Sequence, residues 1–204
     1  MKNMYDTSIK LTNEENQVII GTLLGDAHLS KRFFQFTQKN KAYCLFVYTM
    51  LTRLFTTTPK NVLTNYGTEV LRIRSYHPLF KRLRDVWYPN GKKIIPTYVY
   101  KQLDKQAIAH LIMDDGCLRK GSNTVVVATC SFTLRENIML SNAINKILGT
   151  ECRVDQSNGY NRLRFLRGDT RILLDALSIY FSKSMMYKLR KEFIITAERR
   201  CTEK

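Results

Sequence analysis

The stretch "IIGTLLGDA", residues 19–27, is apolar in almost every direction and then stops on an aspartate. A surface helix shows polar residues on each turn, and a half-buried strand alternates. This run does neither, so it reads as a helix buried on most sides. Thr12 and Glu15 mark its start with a T-x-x-E capping box. "RFFQFTQK" then alternates, with Phe34 and Phe36 on one face and Gln35, Thr37 and Lys39 on the other, which predicts a strand. "KAYCLFVYTMLTRLF" returns to helical spacing. "NVLTNYG" and "TEVLRIRSY" predict a hairpin turning near Tyr66-Gly67, and "HPLFKRLRDVWY" predicts another helix. "YPNGKKIIP", with two prolines and an Asn-Gly turn, reads as a linker.

The order then repeats. "AIAHLIMDDG", residues 107–116, is a second apolar helix ending on aspartate, capped by Asp104 or beginning nearer Thr97. "NTVVVATCS" is a β-branched strand, and Thr133 with Glu136 forms a second capping box ahead of "LRENIMLSNAINKIL". "CRVDQSNGYNRLRFLRG" reads as two strands around a Ser-Asn-Gly turn, and "DTRILLDALSIYF" as a helix. Arg72 lies 46 residues beyond Asp26, and Arg162 lies 47 beyond Asp115. Lys93 follows Asp26 by 67 residues, and Lys188 follows Asp115 by 73. Shared element order, spacing and residue type predict an α+β fold of two pseudo-symmetric αββαββα halves. The division falls as 1–100, linker included, and 101–204.

Charge narrows the partner. Among 204 residues, 33 Lys and Arg stand against 17 Asp and Glu, a net charge of +16. Such an excess marks a polyanion partner. Nucleic acid is favoured over an anionic membrane surface, because no amphipathic basic helix stands out. Between Ala27 and Lys101 there are 14 Lys/Arg and only two acids, Glu69 and Asp85, so this region is expected to carry the binding face. Hydrophobic residues make up 44% of the chain, enough for a real core. Five cysteines, Cys44, Cys117, Cys130, Cys152 and Cys201, form no CxxC pair or zinc spacing, which fits a reducing compartment. His28, His77 and His110 lie too far apart for a local metal motif. The sequence shows neither a secretory signal nor an apolar run of about 18 residues, the length a membrane span needs. A product made inside an organelle lacks such signals too.

"IIGTLLGDA" and "IAHLIMDDG" (108–116) resemble the two nonapeptides of LAGLIDADG homing endonucleases, in the single-chain, two-motif branch. "KNKAY" (39–43), "KKIIP" (92–96) and "MMYKL" (185–189) stand where that branch has similar stretches, so the resemblance covers nearly the whole chain. It implies a monomeric, intron-encoded endonuclease that cuts both strands of double-stranded DNA within a long specific target, leaving short 3′ overhangs. Its motif helices are expected to pair, bringing Asp26 and Asp115 together, with antiparallel sheets forming DNA-binding saddles. Gly21 and Gly25, one turn apart, leave room for close approach. Helix C-termini carry partial negative charge, which favours a cation. Two carboxylates with substrate phosphates and waters suit Mg2+, with Mn2+ able to substitute. The backbone oxygens of Gly25 and Asp114 join the implied ligand set.

The second motif departs from the family pattern. His110 and Asp114 stand where small residues are usual, which suggests bulk packed opposite Gly21 and Gly25. "DDG" leaves either Asp114 or Asp115 as the ligand, and register with Asp26 favours Asp115. Lys93 and Lys188 match basic residues near the family's metal-bound water and are read as catalytic, or else as backbone contacts to DNA. Arg72, Arg74, Arg162 and Arg164 follow period 2 and share a sheet face with Gln35 and Thr37. Arg and Gln suit guanine and adenine edges, and phosphate gripping is the alternative. Lys31, Arg32, Lys39, Asn40, Arg119, Lys120 and Arg167 extend this surface; "RKGSN" (119–123) is a phosphate-contacting loop or a plain turn. His28 and His77 read as structural or phosphate-facing. Two rival readings stand beside the nuclease: a maturase that binds host intron RNA, and a DNA-binding protein with a relic site. Abundant Lys, Asn, Ile and Thr suit an AT-rich genome, compatible with a mitochondrion or other organelle.

Overall fold

The structure is a computed structural model that describes residues 10–119, 121–157 and 159–188. Its N-terminal half runs α1 (Asn13–Leu24), β1 (His28–Leu29), β2 (Phe34–Gln38), α2 (Lys41–Met50), β3 (Lys60–Leu63), β4 (Glu69–Ser75) and α3 (Pro78–Trp87). After a bridging helix, α4 (Thr97–Gln102), the second half runs α5 (Lys105–Asp115), β5 (Gly116–Arg119), β6 (Thr124–Val127), α6 (Leu134–Leu148), β7 (Arg153–Ser157), β8 (Tyr160–Phe165) and α7 (Arg167–Leu177). Both halves are thus αββαββα. The start near Thr97 belongs to α4, a separate helix. The chain turns extended at Asp104, whose carboxylate accepts from the Gln106 and Ala107 amides and begins α5 afresh.

Both capping boxes form. The Thr12 hydroxyl accepts from the Glu15 amide at 3.1 Å while the Glu15 carboxylate accepts from the Thr12 amide at 2.8 Å. Thr133 and Glu136 do the same for α6. Glu136 also accepts from the Ile95 amide at 2.7 Å, which ties the stretch before α4 to the second half.

Each half folds an antiparallel four-stranded sheet, in the orders β1-β2-β4-β3 and β5-β6-β8-β7. Phe34, Phe36, Leu71 and Ile73 fill the buried face of the first, and Val125, Val127, Leu163 and Phe165 that of the second. Alternation sends Gln35, Thr37, Arg72 and Arg74, and likewise Arg162 and Arg164, to the opposite faces.

The motif helices form the seam between halves. Val18, Ile19, Ile20 and Leu23 on α1 and Ile108, Ala109, Leu111 and Met113 on α5 are all at most 1% exposed, so each helix is enclosed all round. They run parallel. At their starts the Gln17 amide group donates to the Gln102 carbonyl and its oxygen accepts from the Asp104 amide. One turn on, a methyl group at Gly21 would stand 2.5 Å from the Ala107 carbonyl oxygen and 2.6 Å from His110 Cβ. One further turn on, Gly25 faces the Asp114 side chain in the same way. The glycines are therefore demanded by the approach of the other helix rather than by backbone conformation.

Candidate active site and nucleic-acid interface

Parallel packing puts both motif aspartates at one end of the seam. Asp26 stands just past Gly25, the C-cap of α1, and Asp115 is the last residue of α5. Both line one open cleft of about 540 Å3, together with Gly25, His28, Tyr88, Lys93 and Cys130. Asp114 does something else. Its carboxylate turns across the seam, where Oδ2 accepts from the Asp26 amide at 3.2 Å and Oδ1 lies 3.4 Å from Gln38 Nε2. The Tyr43 hydroxyl also hydrogen bonds Asp114 and meets His110 Nδ1 at 3.1 Å. Of the adjacent pair, then, Asp115 faces the cleft and Asp114 plugs the gap at Gly25.

Each motif helix ends against a lysine. Lys93 Nζ donates to the Gly25 and Ala27 carbonyls, both at 3.1 Å. Lys188 Nζ donates to the carbonyls of Ile112, Met113 and Asp114 at 3.3, 2.5 and 3.1 Å. Cations here complement the negative ends of the helix dipoles. Burial pulls the Lys93 ammonium down to about 8, against the opposing pull of Asp115, Asp114 and Asp26. Lys188 is lowered for the same reason. The Asp115 carboxyl is pushed up to about 6 by burial and by the Asp26 charge, with Lys93 and Lys188 acting against the rise. Asp114 is held well above the usual carboxylate range, again first by burial and then by Asp26. His110, enclosed in the seam, is held to about 3 by burial and stays neutral.

Gln38 is the residue in this cluster that period-2 reading passes over. Its Nε2 donates to Asp26 Oδ2 at 2.7 Å, so the carboxylate's rotamer is fixed from β2. Its place after Phe34 and Phe36 assigns it to the apolar face; the available signal was an amide where that face should end in a hydrocarbon.

The residues read as contacting DNA are placed unequally. Arg74 Nε donates to Gln35 Oε1 at 2.7 Å, with its guanidinium 4.5 Å over the Phe33 ring, so these two side chains are pre-set together. Arg72 pairs across the ladder with Thr37 on one side and Lys60 on the other. Arg162 is half-buried opposite Asp155, and Arg164 Nε lies 3.8 Å from Asp155 Oδ2. Lys31, Arg32, Lys39, Arg119 and Arg167 are exposed. Asn40 is already engaged as the N-cap of α2: its oxygen accepts from the Tyr43 amide at 3.1 Å and its Nδ2 donates to the Ser184 carbonyl at 2.9 Å. Lys120 lies outside the described residues.

Two αββαββα units with paired helices, arginines on the outer sheet faces and two carboxylates in one cleft define the homing endonuclease fold. The LAGLIDADG DNA endonuclease family model matches residues 16–173, and the chain belongs to that family. It is 30% identical over 199 residues to the cytochrome b mRNA maturase bI2 of Debaryomyces hansenii, an alignment covering 88% of this chain and 74% of that one. The homing endonuclease I-WcaI bound to its DNA recognition sequence shares the fold with a TM-score of 0.80 at 22% identity, covering 93% of this chain and 91% of that one. I-DmoI in complex with DNA and Mn matches with a TM-score of 0.54 at 13% identity, over 83% and 98% of the two chains.

Proposed function

We propose that the protein is a site-specific, divalent-metal-dependent endonuclease that cuts both strands of a long DNA target, leaves short 3′ overhangs and acts in intron homing. The observation that carries this reading is the pair Asp26 and Asp115 in one cleft at the parallel ends of two helices. The donor set fits Mg2+ or Mn2+: hard carboxylate oxygens at negative helix ends, with Asp115 pushed up to about 6 by burial and by the Asp26 charge. Asp26 and Asp115 would hold the ion, joined by the carbonyls of Gly25 and Asp114, each of which keeps a lone pair beside the one given to lysine. When bound, the ion supplies the charge that makes an attacking water acidic and eases departure of the leaving oxygen.

The chain's own groups do the rest. Gln38 orients Asp26, and Asp114 anchors the Asp26 backbone from across the seam. Lys93 and Lys188 set two ammonium groups beside the cleft, where negative charge accumulates as phosphate is attacked. Arg72, Arg74 and Gln35, with Arg162 and Arg164 of the second sheet, bind and read the duplex; Lys31, Arg32, Thr37, Lys39, Arg119, Lys120 and Arg167 grip its phosphates. The protein acts as a monomer, since one chain carries both carboxylates. By likeness to the Debaryomyces maturase we place it in the mitochondrion or another organelle, encoded within an intron.

Sequencing the ends produced from a randomised DNA library, with and without Mg2+, tests this. Defined ends are expected from the wild type and not from Asp26→Asn or Asp115→Asn, each losing at least about 100-fold in rate. Wild-type rates in Asp26→Asn would refute the mechanism. The Debaryomyces relative favours a second reading, an RNA-binding maturase. Intron splicing in vitro that survives Asp26→Asn is its expected sign.

A further inference from the structure

Two residues past each motif aspartate the halves differ, with His28 after Asp26 and Cys117 after Asp115. His28 is exposed on β1 and lines the cleft beside Asp26 and Lys93. Its ring sits edge-on to Tyr88, centroids 5.4 Å apart at 82°, with Nδ1 3.1 Å from the Tyr88 hydroxyl. Tyr88 engages Nδ1, and in the tautomer where the phenol donates there the imidazole proton is on Nε2, from which nothing among the described residues accepts. Tyr88 is itself braced: Arg84 stacks 4.8 Å over its ring and donates to its carbonyl at 3.2 Å. A rigid strut from α3 thus presents one oriented N–H donor to the cleft. The second half puts a thiol at the matching place, a much weaker donor.

An oriented donor beside carboxylates and a lysine suits an anionic oxygen entering that cleft. We propose that His28, through Nε2–H, contacts a non-bridging oxygen of the scissile phosphate on one strand only, and that Tyr88 is its positioning residue. The contact stabilises charge at that phosphate as the attacking oxygen adds and the 3′ oxygen leaves, and the two strands of one target are cut at unequal rates. This rests on the nuclease reading above.

The test is single-turnover cleavage of a cognate duplex labelled on each strand in turn, alongside a supercoiled plasmid carrying the same site. His28→Ala is expected to slow one strand by roughly 100-fold, leave the other near the wild-type rate and make nicked circles accumulate. His28→Gln, which keeps a side-chain N–H donor, restores most of the affected rate. Tyr88→Phe gives a smaller loss on the same strand. Melting temperature stays unchanged in His28→Ala, as expected for an exposed side chain. Equal loss on both strands, or no loss on either, overturns the proposal. A wild type that cuts neither strand in Mg2+ overturns the nuclease reading itself and this inference with it.

Discussion

Burial and the Asp26 charge hold the Asp115 carboxyl at about 6, so the folded chain binds that proton more tightly than the unfolded chain does. The resulting stability is fully present at acid pH and is lost as pH rises through about 6. Above that, the ionised side chain weighs against the fold until a cation joins it. Asp115→Asn is therefore expected to raise the melting temperature in EDTA at about pH 7.5, with the gain vanishing below about pH 4. A lower melting temperature for the variant at the higher pH would contradict this. Protons also compete with the cation: affinity for Mg2+ should fall about tenfold per pH unit below about 6, measurable by titration calorimetry. At this scale the motif made Asp26 and Asp115 readable from the chain, and the bulk of His110 and Asp114 opposite the two glycines was readable too. Gln38 was not, because alternation assigns faces and takes no account of where a strand stops. The commitment of Asn40 to capping α2 was hidden for a related reason, since an N-cap and a DNA contact draw on the same residue type.

Helix pairing supplies the next constraint. A methyl group at Gly21 meets the backbone of Ala107 as well as His110, whereas the nearest atoms to one at Gly25 all belong to the Asp114 side chain. Backbone cannot swing aside. Gly21→Ala should lose about 1–3 kcal/mol, and Gly25→Ala less, in urea unfolding. Equal losses would mean the helices separate freely instead of holding their distance. Element type and order were legible because capping boxes and two different periods mark them. Two features lay beneath that resolution. β1 has two residues, too few to show any period, and α4 is a single short helix whose junction with α5 is fixed by Gln17 reaching over from α1.

Across the whole molecule, the two sheets carry Lys60, Arg72, Arg74, Arg119, Arg162 and Arg164 on their strands. If this surface neutralises six to ten phosphates, DNA affinity should drop by about 10³–10⁵ between 50 and 200 mM salt. Paired Arg72→Ala and Arg162→Ala substitutions should flatten that slope, as read by fluorescence anisotropy. A slope unchanged by the pair would move the contact surface elsewhere. Duplication was visible in the sequence through element order, spacing and residue type together, and the joining of the halves through their motif helices was visible through the family resemblance.

The facing of those two helices is unequal, and it decides what either half can associate with. Two copies of the first helix would set Gly21 and Gly25 against their own kind and leave a hollow. Two copies of the second would force His110 and Asp114 onto each other, with carboxylates side by side. Each half is thus a poor mate for itself and a good one for the other. Split between α3 and α4 and expressed apart, the halves should reassemble crosswise or not at all, which keeps the two unlike sheet surfaces in one-to-one proportion.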